Sequence, residues 1–389
     1  MTEPESNKGQ QIGYHLTRKS LITNTSSSLS SLLPDDLWFD ILAHLPAQDI
    51  YDLARLVCWK WYRTIYTHTF IYANLQYTPY GLLFRCCDRE RGRCPAYLLT
   101  LKQQGRIETY KLSDAFLPRC WNTCNGLVVS WSFKKYGTIV YYIGNPITNQ
   151  VFALPQTPAM TCARSLFVSI GYASVSMEYK VVVTSMIYTW EWIIITPGVD
   201  SSWRVIRNGH LDLPMIVTSN PLITEGFMHW TFGDVRGGSK LGNQVLSLDM
   251  ETEVLTISCV PLDYDGEYDH WSYLSTGLYL TLLITYGDCL WHVWEMKSGE
   301  WRKVEGVIID LGTQMFEQYG FKLVPVGWLK YLEVLVLRAL VYVFPYLQQV
   351  HNFLYNLLTK ETNRLELPVQ CDPSNPVVHK NSLVWLAGC

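Results

Sequence analysis

The sequence predicts an α+β chain of two parts: a small all-α segment near the N-terminus, then an all-β propeller of about six blades. Two apolar stretches with helical spacing lie between residues 32 and 65. From about residue 75 the texture changes to short runs rich in Val, Ile, Tyr and Trp, parted by Gly, Pro, Asn and Asp clusters, which reads as strands and turns. Within that region a turn-centred unit recurs at a spacing close to one four-stranded blade.

The first helical stretch is LLPDDLWFDILAHLP, Leu32 to Pro46. Pro34 suits a first helical position, and Asp35 and Asp36 complement the positive helix end. Leu37, Trp38, Phe39, Ile41, Leu42 and Leu45 cover about 200° of the surface, against the roughly 100° stripe of a one-sided helix. Beyond Pro46, residues Ile50, Leu53, Ala54, Val57, Cys58, Trp61 and Ile65 follow a helical stripe almost without a gap. A segment of this size is too small to form a stable isolated core. It needs the rest of the chain or another protein.

The recurring unit is a strand, a polar turn, and an apolar residue six places after the turn begins. NPITNQV starts at Asn145, PGVDSSW at Pro197, DMETEVL at Asp249, EMKSGEW at Glu295 and TKETNRL at Thr359, with a weaker copy, LKQQGRI, at Leu101. Adjacent hairpins would recur far more closely, so the wider interval points to blades. The longest interval predicts an insertion or irregular blade between residues 305 and 355. The C-terminal HKNSLVWL, His379 to Leu386, is a candidate for the strand that closes the ring. Residues 1–28 are polar, end in a Ser/Thr-rich run, and are expected to form a disordered arm. The domain reading is therefore 1–28, 29–75 and 76–389.

Composition narrows the function. A net charge of −3 gives no global pull toward nucleic acid or anionic membrane. The 11 cysteines and the lack of a basic-then-apolar leader predict reduced thiols and residence in the cytoplasm or nucleus. The most apolar long run, Val324 to Leu347, is interrupted by Lys330, Glu333, Arg338 and Pro345, so no membrane span is expected. The nine histidines form no short ligand spacing. CCDRERGRC, Cys86 to Cys94, misses the two-knuckle zinc pattern and reads as a polar, basic loop. CWNTC, Cys120 to Cys124, reads as strand-edge packing rather than a redox motif. DYDGEYDH, Asp263 to His270, lacks the sixth-position glycine and twelfth-position glutamate of a calcium loop. The basic residues around Lys102, with Tyr97 and Tyr110 nearby, match no RNA-binding motif and equally suit a rim for an acidic protein segment. No nucleophile elbow, phosphate loop or dinucleotide fingerprint is present, so no catalytic residue, metal or cofactor is assigned.

Extended through DIYDLARLVCWKWYRTI, the first stretch resembles the F-box, on Leu33-Pro34, Asp36-Leu37, Ile41-Leu42, Leu45-Pro46, Val57-Cys58 and Trp61. Trp59 stands where that family often has a basic residue, and Ile50 where Leu is common. The remainder is similar to the F-box-associated, kelch-like region of large plant F-box families. The landmarks are CNGLVV (Cys124 to Val129), IGNPITNQVFALP, GYASVSMEYKVV (Gly171 to Val182), VLSLDMETE and PVGWLKYLEVLVL (Pro325 to Leu337). Ala173 and Ser174 replace the usual Asp-Pro of the third landmark.

The resemblance implies a non-catalytic substrate receptor of a Skp–cullin–F-box ubiquitin ligase. A Skp-type adaptor would bind the F-box, linking it to cullin and RING subunits, while the propeller holds an unidentified target protein. It implies adaptor contacts at Leu33, Pro34, Leu37, Ile41, Leu42, Leu45, Pro46 and Leu53, with Val57, Cys58 and Trp61 shared between contact and internal packing. Trp190, Trp192, Trp230 and Trp271 are candidate target anchors, since aromatics on propeller loops suit that role. Two other readings stay open: a carbohydrate-binding receptor whose aromatic face stacks on sugars, and an interaction module outside any ligase. Charging the contact surface, by Leu42→Asp or Leu45→Asp, is expected to abolish adaptor binding. Co-precipitation at wild-type yield would overturn that placement.

Overall fold

The computed structural model describes residues 34–85, 96–102, 105–112, 120–133, 139–158, 166–185, 192–206, 220–231, 244–260, 270–285, 290–297, 299–311, 323–343, 347–367 and 376–386. The chain divides into two compact units, residues 1–41 and 42–389. The first contains most of helix α1, Asp35–Ala43, with both acidic residues in its first turn. The Pro34 carbonyl accepts the amides of Leu37 and Trp38, and the Trp38 indole donates to Asp35 at 3.2 Å. The expected arm, residues 1–28, lies outside the described residues.

The second unit holds α2 (Ala47–Asp52), a 3-10 turn (Ala54–Leu56), α3 (Trp59–Ile65) and α4 (His68–Tyr77). The apolar stripe from Ile50 to Ile65 predicted continuous helix, but the chain breaks it twice. Leu53 ends α2, and Cys58 is extended at φ −157° and ψ 163°. The Cys58 sulfur accepts the Trp61 amide at 3.5 Å and so caps α3. These breaks rephase the stripe. Ile50, Ala54 and Ile65 turn inward, whereas Leu53, Val57 and Cys58 are exposed. Thr67 caps α4 by accepting the Phe70 amide at 3.3 Å. Asn74 donates to the carbonyls of Ala43 (2.9 Å) and Leu45 (2.8 Å), tying that stretch to α4.

The strands form six four-stranded antiparallel sheets. Blade 1 contains β1 (Gly81–Arg85), β2 (Ala96–Leu101) and β3 (Ile107–Lys111). Blade 2 is β4 (Cys120–Cys124), β5 (Leu127–Phe133), β6 (Ile139–Asn145) and β7 (Gln150–Ala153). Blade 3 is β8 (Leu166–Ala173), β9 (Glu178–Ser185), β10 (Trp192–Ile195) and β11 (Arg204–Ile206). Blade 4 is β12 (Leu222–Thr224), β13 (Phe227–Thr231), β14 (Gln244–Asp249) and β15 (Leu255–Cys259). Blade 5 is β16 (His270–Ser275), β17 (Leu280–Thr285), β18 (Leu290–Lys297) and β19 (Glu300–Asp310). Blade 6 is β20 (Leu323–Lys330), β21 (Val334–Val343), β22 (Leu347–Asn356) and β23 (Thr362–Leu365). Register shifts occur at Pro325/Gly327 and Trp328/Lys330, as they also do in blades 2 and 5.

The ring closes through β24, Val377–His379, which pairs with β1 and completes blade 1. The closing strand thus ends where HKNSLVWL begins. Most of that stretch instead runs beside blade 2: Ser382 Oγ donates to the Asn125 carbonyl at 2.6 Å, and Asn145 Nδ2 to the carbonyls of Ser382 (2.9 Å) and Val384 (2.7 Å). The close approach explains the Asn-Gly of CNGLVV. Both residues have positive φ, 49° and 86°, as a tight hairpin turn requires, and a Cβ at Gly126 would overlap Ser382.

All six copies of the sequence unit fall at the turn between the third and fourth strands of a blade. Three share one chemistry. The side chains of Asn145, Asp249 and Asn356 each accept two amides of the turn, at 2.8–3.4 Å. Four residues on, Asn149, Glu253 and Lys360 are left-handed. The blade 6 copy therefore begins at Asn356, three residues before TKETNRL.

The core lies between blades. Phe167, Trp192 and Ile194 of blade 3 pack with Met228, Trp230 and Leu246 of blade 4, and the two indoles meet edge-on at 4.3 Å. Leu82, Phe84 and Leu99 of blade 1 pack in the same way against Val326, Leu329 and Val336 of blade 6. Inside blade 4, buried His229 bridges Thr224 and Ser247, both at 2.8 Å. Burial lowers its pKa to about 3, and that of His379 to about 4. Unfolded, both histidines take up a proton near pH 6.5. Their neutral burial therefore stabilises the fold fully above that pH and progressively less as pH falls toward 4. Urea unfolding across this window should lose about 1.4 kcal/mol per pH unit per histidine. His229→Gln should flatten the slope, and an equal slope in wild type and variant would count against this assignment.

Candidate docking surfaces

Within residues 34–41, Pro34, Leu37 and Ile41 are exposed while Trp38 is buried; Leu33 lies outside the described residues. In the second unit, Leu53 is 67% exposed and Val57, Cys58 and Pro46 are also exposed. Leu45 is at the margin of exposure and Trp61 is half-buried. Leu42, expected as a contact, is only 1% exposed. Its side chain serves the interior, so a charge there attacks folding before any docking surface.

Three exposed residues escaped the sequence reading as contacts: Leu56 (72% exposed), Trp59 (71%) and Tyr62. Trp59 stacks on Tyr62 at 5.4 Å, and Tyr62 meets Tyr66 at 4.8 Å, forming an aromatic ladder along α3. The signal for Trp59 was its departure from a commonly basic position. Leu56 carried only its misfit to the helical stripe.

On the propeller, Trp192 and Trp230 are core residues and offer no surface. Trp271, at the start of β16, is 39% exposed, and Trp190 lies outside the described residues. A groove of about 440 Å³ runs beside blade 2, with Val151, Phe152, Trp385 and Leu386 among its lining residues. Two sequence landmarks interlock at the boundary of blades 3 and 4. Buried Lys180 donates to the Met250 carbonyl at 2.7 Å and pairs with Glu253 at 2.9 Å. Glu253 also takes a bidentate pair from Arg204, whose hydrogen bonds hold its carboxyl below the usual range. The Glu251 carboxylate accepts the amides of Val175 and Ser176. GYASVSMEYKVV and VLSLDMETE therefore form a structural clasp between blades.

Burial pushes the Cys124 thiol up to about 12, which leaves it unreactive at neutral pH. Among the described residues no group of three or more His, Cys, Asp or Glu side chains is placed to hold a metal ion, and no helix is long and apolar enough to cross a membrane. The sequences CCDRERGRC and DYDGEYDH fall almost wholly outside the described residues.

The α2–α4 segment is fastened to one end of the propeller. Tyr51 Oη donates to the Thr148 carbonyl in the β6–β7 turn at 3.1 Å, and the rings of Tyr72 and Tyr172 lie 6.0 Å apart. Both contacts involve the end that bears the first-to-second and third-to-fourth strand turns.

Comparison with known proteins agrees with this architecture. The chain belongs to the F-box associated beta propeller domain family, whose model matches residues 102–372; the F-box domain model matches residues 30–71. No curated protein matches the chain. Among solved structures, it is similar to a chain of the S. cerevisiae assembly of Dbp5 with Nup159, Gle1, IP6 and ADP (12% identity, 64% of this chain and 60% of that chain, TM-score 0.38). It is also similar to TolB from Acinetobacter baumannii (10% identity, 79% and 70%, TM-score 0.40) and to a putative TolB from Agrobacterium tumefaciens (9% identity, 79% and 99%, TM-score 0.35). The chain spans about 60% of the length of the first of these.

The burial contrast predicts a clean separation. Leu42→Asp should destabilise the protein by about 3 kcal/mol or more, because it buries an unpaired carboxylate. Leu53→Asp should leave the thermal midpoint within a few degrees of wild type. Equal loss in both variants, measured by thermal unfolding, would contradict the placement of these side chains.

Proposed function

We propose that the chain is the substrate-recognition subunit of a Skp–cullin–F-box ubiquitin ligase. The observation that carries this reading is the exposed apolar surface of the F-box segment, above all Leu53, Leu56, Val57 and Trp59. A segment that spends so many large apolar side chains on its surface is built for a partner. The partner is a Skp-type adaptor, which brings cullin and RING subunits with it. In this reading the bond-making groups belong to the other subunits. The chain's part is proximity, since holding a target near the charged ubiquitin carrier raises the local concentration of target lysines.

The attachment of α2–α4 supports a division of labour along the propeller axis. The end with the short turns faces the ligase side. The opposite end, from which the inter-blade connections leave, is the face for the target. The burial of Trp192 and Trp230 weighs against a broad aromatic sugar platform there.

Leu53→Asp combined with Val57→Asp should abolish co-precipitation of a Skp-type adaptor while leaving the circular dichroism of the β domain unchanged. In a reconstituted reaction, the wild-type chain should support ubiquitination of a captured protein and the double variant should not. Adaptor capture at wild-type yield by the folded double variant would overturn the docking assignment. Adaptor capture without ubiquitination of any associated protein would favour a non-ligase interaction module.

A further inference from the structure

The residues that close the propeller ring also hold the helical segment. Next to β24 stands Lys380, 9% exposed, whose ammonium donates to the Leu75 carbonyl in the last turn of α4 at 3.2 Å. That carbonyl is one of the four at a helix C-terminus with no partner inside the helix, and the negative end of the helix favours a cation there. The same ammonium lies 4.0 Å from the centroid of the Tyr80 ring. Tyr80 in turn covers Gly277, in the turn between β16 and β17 of blade 5, and its hydroxyl donates to the Gly277 carbonyl at 3.4 Å. Gly277 has a φ of 89°, and a Cβ there would run into the Tyr80 ring. Two residues beyond Lys380, Ser382 and then Val384 are held by Asn125 and Asn145 of blade 2.

We propose that residues 377–384 form a strap in which Lys380 is a positioning residue, coupling closure of the ring to the direction in which α4 leaves the propeller. One short segment is hydrogen-bonded to β1, to α4 and to blade 2, and touches blade 5 through Tyr80. Release of β24 therefore takes the cation from the end of α4 at the same moment. The Tyr51–Thr148 hydrogen bond is a second tether, so loss of Lys380 loosens the segment without detaching it. The value of this rigidity for ubiquitin transfer rests on the receptor reading above; the mechanical coupling does not.

The test is amide hydrogen exchange on the full chain carrying Lys380→Met, which keeps an unbranched stem and removes the charge. Exchange across residues 71–78 should accelerate by about 10-fold or more, while β9, β13 and β17 keep their protection. Lys380→Arg should restore part of the protection, and Lys102→Met, an exposed lysine of blade 1, should change nothing at α4. An unchanged α4 rate in folded Lys380→Met would overturn the proposal, as would equal loss of protection in all three strands. Should Lys380→Met fail to fold, Tyr80→Leu decides: it should accelerate exchange in the same residues, and an unchanged rate sinks the coupling. Adaptor capture by the Leu53 and Val57 variants reports on the receptor reading separately, so the two can fail independently.

Discussion

Each blade of this protein is a sheet with apolar residues on both faces, and neither face can be left in water. The contact between blades 3 and 4 shows the constraint at its most demanding. Trp192 and Trp230 meet edge-on with no exposure, each filling space that the other blade leaves open. Fully burying a large apolar side chain is worth roughly 1.5–3 kcal/mol, and every interface repeats that gain along its length. A row of such blades is satisfied only when the last covers the first. Pairing β24 with β1 meets that requirement by building one sheet from both ends of the β region, so closure and blade formation are the same event.

The turns show how local chemistry serves that ring. An Asn or Asp at the head of a third-to-fourth strand turn satisfies amides that would otherwise be orphaned, and it sets a left-handed residue four places later. The blade 4 copy carries an added duty, because its glutamates reach back to Lys180, Arg204 and two amides of blade 3. A buried lysine is costly unless paired, and here it is paired and hydrogen-bonded at once. The stretches GYASVSMEYKVV and VLSLDMETE are, at this boundary, the parts of a mechanical fastening.

The helical segment obeys a different logic. Its inward residues, Leu42, Ile50, Ala54, Ile65 and Phe70, are enough to hold the helices, while Leu53, Leu56, Val57 and Trp59 remain outside. That division follows from two breaks in the helical phase, at Leu53, which ends α2, and at the extended Cys58. Cys58 interrupts the helical phase, and its sulfur caps the next helix. Were the stripe one uninterrupted helix, Leu53, Val57 and Ile50 would share a face and the segment would be more self-sufficient. The interruptions leave an apolar surface exposed, and fastening α2–α4 to the propeller gives that surface a stable mounting.

The amino-acid sequence by itself determined the class of fold, a short helical part followed by an all-β propeller of about six blades. Those properties depend on periodicity and turn chemistry, which are local and repeat along the chain. Only the tertiary structure decided which end of each apolar stretch faces inward. Leu42 and Leu45 look alike in sequence, yet one is buried and the other lies at the margin of exposure. Trp192 and Trp230 read as plausible loop anchors until neighbouring blades enclosed them. The closing strand fell just before the expected one, because Asn125 and Asn145 of blade 2 claim the residues that follow it. Burial is a property of what packs against a residue, and in a ring that neighbour belongs to another blade, far away along the chain.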